Sequence, residues 1–581
     1  MSLSTSGERL RKRRAINACI SCRSSKVRCD GKQPCKRCDR NDARCQYHDA
    51  AGKDPNTLRI EKLELEVARL QNQLREQEAR SASPLETIHS RATRDLVQTG
   101  ALADVHPQSG SNAFQKGFVT YDKACAYFRR FFAGSHYLVP IFSDSIDVIT
   151  SVASRSAFLF DAIVSVGCRA EQGFDSVAFR QLQSGLSEHL TDMLVKTEQP
   201  CLEDVQAITL MAAYSENGYI LVALALRFAI QLGLHKTVHR LLDSAEDQEH
   251  VSAEERELYR LQRVWHGICN LELFFSLDGG HTPSIKPRTT PRKIRFLLNH
   301  VECTPVDVRL LSQVELNLIR ADAYRDVLEH SGPLLLESED ILRSKICDTN
   351  IEFSLWLKEW TNVISEKPVP ECALALLNLH IQYDWALLTL HLKAVSVSGI
   401  DNLAIMTDFQ KEMIHKAKEA STRHLHHLLE ASVSPSSPCG SAPAYLNTFK
   451  WTMDYVWAKG AFSVLLVLKL AILLRDPITH IMSLLHDAHR VLEELKKVTI
   501  GHIPYFQILQ TSIEKCEAAI ADYSTQQATS DADLAISGPA ESDFQGYAPN
   551  NFTFEWDFPG LHLKHMPLGW QDLFVDIENL F

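Results

Sequence analysis

Six cysteines lie within twenty-seven residues near the N-terminus of this 581-residue chain. They follow the spacing C-x2-C-x6-C-x5-C-x2-C-x6-C and are Cys19, Cys22, Cys29, Cys35, Cys38 and Cys45. The residues between them include too few apolar side chains to build a core, so a metal must supply the order of this segment. Zinc prefers four tetrahedral ligands, and a CxxC pair presents two thiolates to one ion.

Six thiolates cannot complete two separate four-thiolate sites, so two zinc ions require two shared sulfurs. The pattern C-x2-C-x6-C occurs twice, which suggests two pseudo-symmetric halves that each begin with a bridging cysteine, Cys19 and Cys35. The predicted cofactor is therefore two Zn²⁺ per chain. One ion would take Cys19, Cys22, Cys29 and Cys35, and the other would take Cys35, Cys38, Cys45 and Cys19.

The charge of the chain is strongly asymmetric. The formal net charge is -11, yet thirteen Lys or Arg face only three Asp between Arg9 and Cys45. A basic segment attached to an acidic body is typical of a protein that meets polyanionic DNA at one end.

Several basic side chains of this segment are candidate DNA contacts. Lys26 is the candidate reader of guanine in the major groove, because lysine donates well to O6 and N7. The candidate phosphate contacts are Arg23, Arg28, Lys36, Arg37 and Arg40. The arm RLRKRR, which includes Arg13 and Arg14, is typical of a nuclear-localisation cluster and a clamp on the DNA backbone. For each of these residues a solvated surface charge is the alternative.

The cysteine spacing resembles in full that of the fungal binuclear zinc cluster family of transcription factors. This resemblance covers residues 19–45 and implies that each half is a short helix followed by an extended strand. It also implies that Lys26 meets a CGG triplet in the major groove, in RNA polymerase II promoters of a metabolic gene set. Ser25 departs from the basic residue usual in the family, which removes one contact, whereas Pro34 matches a loop proline. Double-stranded DNA and a nuclear location are the expectations that follow.

A short coiled coil is predicted over residues 58–80. Its apolar residues alternate spacings of three and four and are Ile60, Leu63, Val67, Leu70 and Leu74. β-Branched residues at a with leucine at d favour two parallel strands, so we expect a homodimer through this segment. The alternative is a lone amphipathic helix that packs on its own chain.

The remaining sequence predicts a mainly α protein with the zinc cluster at one end. The predicted divisions are a disordered arm at 1–18, the cluster at 19–45, linkers at 46–57 and 81–113, and an all-helical regulatory domain at 114–525. Segments such as ALRFAIQLGLH (Ala225 to His235) resemble the middle homology region of the same family, although Gly279-Gly280-His281 departs from its usual ending. The run at 460–474 is apolar over about fifteen residues, short of the roughly twenty that span a bilayer, so we expect a buried helix and no membrane contact.

The C-terminal residues 526–581 form an acidic and aromatic tail, predicted to be largely disordered. Interleaved acids and aromatics are typical of segments that fold onto a coactivator groove, so we expect a transcriptional activator. The rivals are that the aromatics pack back on the helical domain, or that the protein is a ligand-responsive repressor with the helical domain as a metabolite sensor. No GxxxxGK[ST], GxSxG or HExxH motif occurs, and the prediction is that the protein is not an enzyme. The nine cysteines outside the cluster are expected to be buried apolar residues.

Overall fold

The structure of the protein is a computed structural model. This structure describes residues 19–25, 27, 29–46, 111–195, 199–215, 218–244, 251–279, 282–285, 291–329, 336–366, 372–397, 407–430, 445–474, 476–501 and 504–531. The chain forms two compact units, residues 1–99 and 100–581. The predicted arm, coiled coil and C-terminal tail beyond Asp531 lie outside the described residues.

The described residues form helices and no β-strand, which confirms the predicted mainly α class. In the first unit, α1 is Ile20–Ser24 and α2 is Lys36–Arg40. The helices of the second unit are α3 Tyr121–Arg130, α4 His136–Leu138, α5 Ile149–Arg155, α6 Ala157–Gln172, α7 Val177–Val195, α8 Leu202–Ala213, α9 Gly218–Gln231, α10 Thr237–Ser244, α11 Ala253–Gly279, α12 Pro305–Glu329, α13 Leu336–Glu366, α14 Cys372–Val397, α15 Asp408–Leu428, α16 Asp454–Leu473, α17 Ile478–Val498 and α18 Pro504–Asp531. Shorter 3₁₀ segments are Leu234–Lys236, Pro291–Asn299 and Leu446–Trp451, and Phe131–Ser135 is a π-helical turn.

The second unit has two hydrophobic cores. The first is built mainly from α3 to α9 and the C-terminal half of α11, and the second from α12 to α18. Residues 460–471 of the apolar run lie in α16 and are buried in the second core, as predicted. Among the described residues, no single helix is long and apolar enough to cross a membrane, although the bent pair Gly218–Gln231 and Leu234–Leu242 passes that test on length and composition.

The segment Leu446–Trp451 joins the two cores. The carbonyl of Trp451 accepts hydrogen bonds from the Tyr214 hydroxyl at 2.9 Å and the Ser135 hydroxyl at 3.4 Å, both from the first core region. The Trp451 indole lies against Gly134 so closely that a Cβ on that glycine would overlap the ring. Arg130 stacks on the same indole, with its guanidinium carbon 4.7 Å from the ring centroid. A glycine in the π-helical turn is therefore what allows this close approach.

Buried ion pairs tie α11 to α12. Arg263 donates to both carboxylate oxygens of Asp307, at 2.6 and 2.7 Å, and Arg320 donates to Asp278. All four side chains are almost fully excluded from solvent. Buried charges of this kind persist only when they are paired and hydrogen-bonded, so these pairs fix the register of the two helices.

Candidate metal centre

The six cysteine sulfurs come together in two overlapping groups of four. One group is Cys19, Cys22, Cys29 and Cys35, and the other is Cys19, Cys35, Cys38 and Cys45, with all ligand atoms of each group within 4.8 Å of one another. The two residues common to both groups are Cys19 and Cys35, the pair that the repeated spacing suggests as bridging ligands.

The distances between sulfurs fit tetrahedral zinc. The Sγ atom of Cys19 lies 3.8 Å from that of Cys35 and 3.6 Å from that of Cys38, and Cys22 Sγ lies 3.6 Å from Cys35 Sγ. A zinc–sulfur bond of about 2.3 Å gives a tetrahedral edge of roughly 3.8 Å. A disulfide would bring two sulfurs to about 2.05 Å, so these contacts have the spacing of co-ligands of a metal.

The backbone holds the two bridging sulfurs in equivalent ways. The N–H of Cys22 donates to Cys19 Sγ at 3.4 Å, and the N–H of Cys38 donates to Cys35 Sγ at 3.4 Å. Each bridging cysteine stands just before a five-residue helix, where free N–H groups point at the sulfur. Donors of this kind favour the thiolate, the form that binds zinc.

The chain leaves each short helix in the same way in both halves. The N–H of Val27 donates to the carbonyl of Cys22 at 3.0 Å, and the N–H of Ala43 donates to the carbonyl of Cys38 at 2.9 Å. Each pair of bonded residues is separated by the same number of positions, so residue n of the first half corresponds to residue n + 16 of the second. The halves are thus related by a pseudo-two-fold repeat, and the described residues of neither half form a strand.

The protonation of the cluster favours a cation at its centre. The Cys38 N–H lowers the pKa of Cys35 to about 6, whereas burial and neighbouring thiols raise the pKa of Cys22 and raise that of Cys38 to about 12. Four of the six thiols have 2% or less of their surface exposed. A divalent ion replaces the protons and removes the cost of burying thiolates, so these residues fit two zinc ions.

The candidate DNA contacts are only partly described. Lys36, Arg37 and Arg40 lie on α2 and are exposed, which leaves them accessible to a phosphate backbone. Lys26, Arg28, Arg13 and Arg14 lie outside the described residues, as do the side chain of Arg23 and the predicted dimer contacts Ile60, Leu63, Val67, Leu70 and Leu74.

The pseudo-two-fold repeat distinguishes the two halves in a way that the sequence prediction missed. The positions of Arg23 and Lys26 in the first half correspond to Asp39 and Asp42 in the second. Asp39 and Asp42 are exposed, as is Arg44, a further basic residue that was not predicted as a contact. Comparing the halves at a spacing of sixteen residues would have found this difference. The second half therefore presents acids at two of the positions where the first half carries bases, whereas Arg44 corresponds to Arg28.

The histidines and cysteines outside the cluster differ in burial. Among the described residues, the groups able to hold a metal are the two cysteine groups alone. His424 is buried, with 1% of its surface exposed, whereas His426 is largely exposed. The expectation that the outer cysteines are buried is correct for Cys168, Cys269 and Cys516 and wrong for Cys347, which is exposed; Cys125, Cys201 and Cys303 are half-buried. Cys347 is exposed because it lies on the outward face of α13.

Comparison with known proteins agrees with this geometry. Residues 17–54 match the family model of the fungal Zn(2)-Cys(6) binuclear cluster domain. The N-terminal segment thus carries this domain, whose cofactors are two zinc ions, and it is homologous to fungal transcriptional regulators. The match does not extend to the helical unit, for which the resemblance to the middle homology region stays a prediction.

Two curated relatives carry the homology. A protein of Emericella nidulans, named transcriptional activator of proteases prtT, is 27% identical over 172 residues, which is 29% of this chain and 24% of that protein. An uncharacterized transcriptional regulatory protein of Schizosaccharomyces pombe is 51% identical over 37 residues, or 6% of this chain and 5% of that protein. The chain therefore matches about a quarter or less of the length of these relatives.

Proposed function

We propose that this protein is a nuclear, sequence-specific transcription factor that binds DNA through its zinc cluster. The observation that carries this proposal is the pair of overlapping four-sulfur groups, which match the fungal Zn(2)-Cys(6) domain in sequence and suit two zinc ions in geometry. Among the described residues of the cluster, the core consists of its cysteines and a few half-buried neighbours. Zinc binding is therefore what orders this basic segment into a rigid DNA-binding domain.

The first half of the cluster is the reading half in this proposal. Arg23 and Lys26 stand where the second half has Asp39 and Asp42, and a carboxylate cannot donate to guanine O6 and N7. Lys26 contacts the guanines of a CGG-type triplet, and Arg23 and Arg28 flank it. The exposed residues Lys36, Arg37 and Arg40 of α2 contact phosphate, together with Arg13 and Arg14 of the arm.

Residues 58–80 join two copies in this proposal, and the linker 46–57 sets the distance between two triplets. The helical domain, 114–525, is regulatory, and the tail, 526–581, recruits coactivators. One relative is named as an activator, and the tail is acidic and aromatic. The proposed effect of this protein on transcription is therefore activation.

Binding of the full zinc-loaded chain to two duplexes tests whether the zinc cluster binds DNA sequence-specifically. Fluorescence anisotropy at about 0.15 M salt should give far tighter binding to a duplex with CGG triplets than to a scrambled duplex of equal length. Lys26→Ala should cost about 1–3 kcal/mol on the CGG duplex and abolish much of the discrimination.

The exposed Lys36 supplies the matched control. Lys36→Ala should weaken binding to both duplexes alike and lower the salt slope by about one, as expected for a phosphate contact. Equal affinity of the unmodified chain for both duplexes would overturn the proposal. A loss of discrimination in Lys36→Ala, with Lys26→Ala unaffected, would overturn the assignment of Lys26.

A further inference from the structure

The backbone of the zinc cluster is nearly the same in its two halves. Helices α1 and α2 each have five residues, and each begins directly after a bridging cysteine. The hydrogen bond that closes the turn after the helix is 3.0 Å long in the first half and 2.9 Å long in the second. The N–H of Ile20 donates to the carbonyl of Gln46 at 2.8 Å, and the equivalent N–H of Lys36 donates to Asp30 Oδ2 at 3.4 Å. The described backbone therefore does not decide which half enters a DNA groove.

The number of basic residues does not favour the first half. Between the first and third cysteines of each half, the bases are Arg23, Lys26 and Arg28 in the first half and Lys36, Arg37, Arg40 and Arg44 in the second. Bases neutralise phosphates whatever the DNA sequence, so by this measure the second half is at least as attractive to DNA. The halves differ in acids, because the first has none in this interval and the second has Asp39 and Asp42.

The two acids stand at the positions that two candidate DNA contacts occupy in the first half. Asp39 is the fourth residue of α2, as Arg23 is the fourth residue of α1. Asp42 lies two residues beyond the end of α2, as Lys26 lies two residues beyond the end of α1. Both carboxylates are exposed, and neither forms an ion pair with another described side chain. Pairing within this part of the chain therefore does not explain the acids.

Backbone conformation does not by itself account for an acid at position 42. Asp42 has a φ of 47°, in the left-handed region, where asparagine and glycine are also favourable. A carboxylate differs from these residues because it only accepts hydrogen bonds. Guanine presents O6 and N7 in the major groove, and both atoms are acceptors as well. A carboxylate placed there would lose its water without gaining a donor, so this position in the groove disfavours it.

We propose that Asp39 and Asp42 determine the orientation of the zinc cluster on DNA, because they keep the second half away from the guanine edges that the first half reads. The second half has the scaffold of a base-reading half but carries acceptors at its two reading positions. Its bases Lys36, Arg37 and Arg40 are left to contact phosphate. This inference rests on the proposed function, in which the first half reads a CGG-type triplet, and adds that two acids exclude the alternative orientation.

Exchanging the charged pairs between the halves tests this proposal in the full zinc-loaded chain. The exchange variant carries Arg23→Asp, Lys26→Asp, Asp39→Arg and Asp42→Lys, so its net charge equals that of the unmodified protein. Fluorescence anisotropy at about 0.15 M salt compares a duplex that holds one CGG triplet with a scrambled duplex of equal length. Arg23→Asp with Lys26→Asp alone should abolish the preference for CGG, and the full exchange should restore a preference of at least about tenfold.

A control matched in charge separates the positions of the bases from their number. Its substitutions are Arg23→Asp, Lys26→Asp, Asp39→Asn, Asp42→Asn, Gln33→Lys and Gln46→Lys. Gln33 and Gln46 are exposed in the same unit and lie outside the exchanged positions. This control should bind both duplexes with equal affinity, because its bases neutralise phosphate but do not stand where guanine is read.

Zinc per chain is measured on every variant by mass spectrometry of metals, so that a lost fold is recognised. If Asp42→Lys lowers the zinc content, Asp42→Asn takes its place in the exchange, since asparagine suits the left-handed backbone and Asp39→Arg still supplies a donor for guanine. An exchange variant that holds its zinc without a CGG preference, or a charge-matched control with the same preference, overturns the proposal. In both cases the unmodified chain keeps its preference, whereas the absence of that preference is the failure of the proposed function.

Discussion

Lys459 is a buried cation whose titration should be visible in the stability of the protein. It lies on α16 with 8% of its surface exposed, and its Nζ donates to Gln382 Oε1 at 3.1 Å. The ammonium also sits 4.5 Å from the centroid of the Trp385 ring. Asp278, whose charge acts on Lys459, is already bound by Arg320 and by Trp385 Nε1 at 3.2 Å. No carboxylate of the described residues is thus paired with Lys459.

Burial lowers the pKa of Lys459 to about 7, from an ordinary value of 10.5. Between these two values the unfolded chain holds a proton that the folded protein has released, so stability rises as the pH rises through this window. The slope is at most about 1.4 kcal/mol per pH unit, which gives a gain of roughly 2 kcal/mol between pH 7 and pH 9.

The variant Lys459→Met removes this titration while keeping most of the side-chain volume. Urea unfolding of both proteins, followed by helical circular dichroism, should give a free-energy difference that changes by about 2 kcal/mol from pH 7 to pH 9. The variant should have the higher free energy of unfolding at pH 7, because the buried charge of Lys459 destabilises the unmodified protein at that pH. The loss of the hydrogen bond to Gln382 offsets part of that advantage.

An exposed lysine provides the control for this measurement. Lys450→Met removes a positive charge from the surface of the segment Leu446–Trp451. Its stability difference from the unmodified protein should be nearly constant over the same pH range. A constant difference for Lys459→Met as well would refute the reasoning, because it would mean that the buried amine titrates as it does in water.

Two further predictions concern the cluster and the tail. Cys19→Ser removes a ligand that belongs to both four-sulfur groups, whereas Cys45→Ser removes a ligand of one group. The amount of zinc bound per chain, measured by mass spectrometry of metals after gel filtration, should therefore fall further in Cys19→Ser than in Cys45→Ser. Equal losses of zinc would contradict the assignment of Cys19 as a bridging ligand. Residues 531–581 fused to a neutral DNA-binding domain should raise reporter output, and a silent or repressed reporter would reverse the proposed sign of regulation.

The metal centre was predictable because its geometry is local. All six ligands fall within twenty-seven residues, and zinc imposes the same tetrahedral demand on any chain that supplies four thiolates. The spacing alone therefore led to the two groups of four and to Cys19 and Cys35 as their shared members. The exchange of Arg23 and Lys26 for Asp39 and Asp42 was equally present in the sequence, and aligning the repeats would have revealed it.

Helical periodicity predicted the helices but not which residues of each helix are buried. Leu224 and Phe228 have helical spacing and large apolar side chains, yet they are half-buried, whereas Ala225 and Ala229 of the same helix are fully enclosed. A helix as apolar as α9 has several faces that could pack, and the neighbouring helices select one of them. Small residues are selected where helices approach closely.

The sequence by itself determined the zinc cluster, the helical class and the asymmetry of charge, because each depends on residues close together in the chain. Only the tertiary structure decided that Lys459 is buried without a carboxylate, or that Ile341, Ile351 and Leu355 face outward. In a sequence, Lys459 is an ordinary lysine and α13 an ordinary amphipathic helix. Their environments are set by helices distant in sequence, since burial depends on which faces of the assembled helices meet.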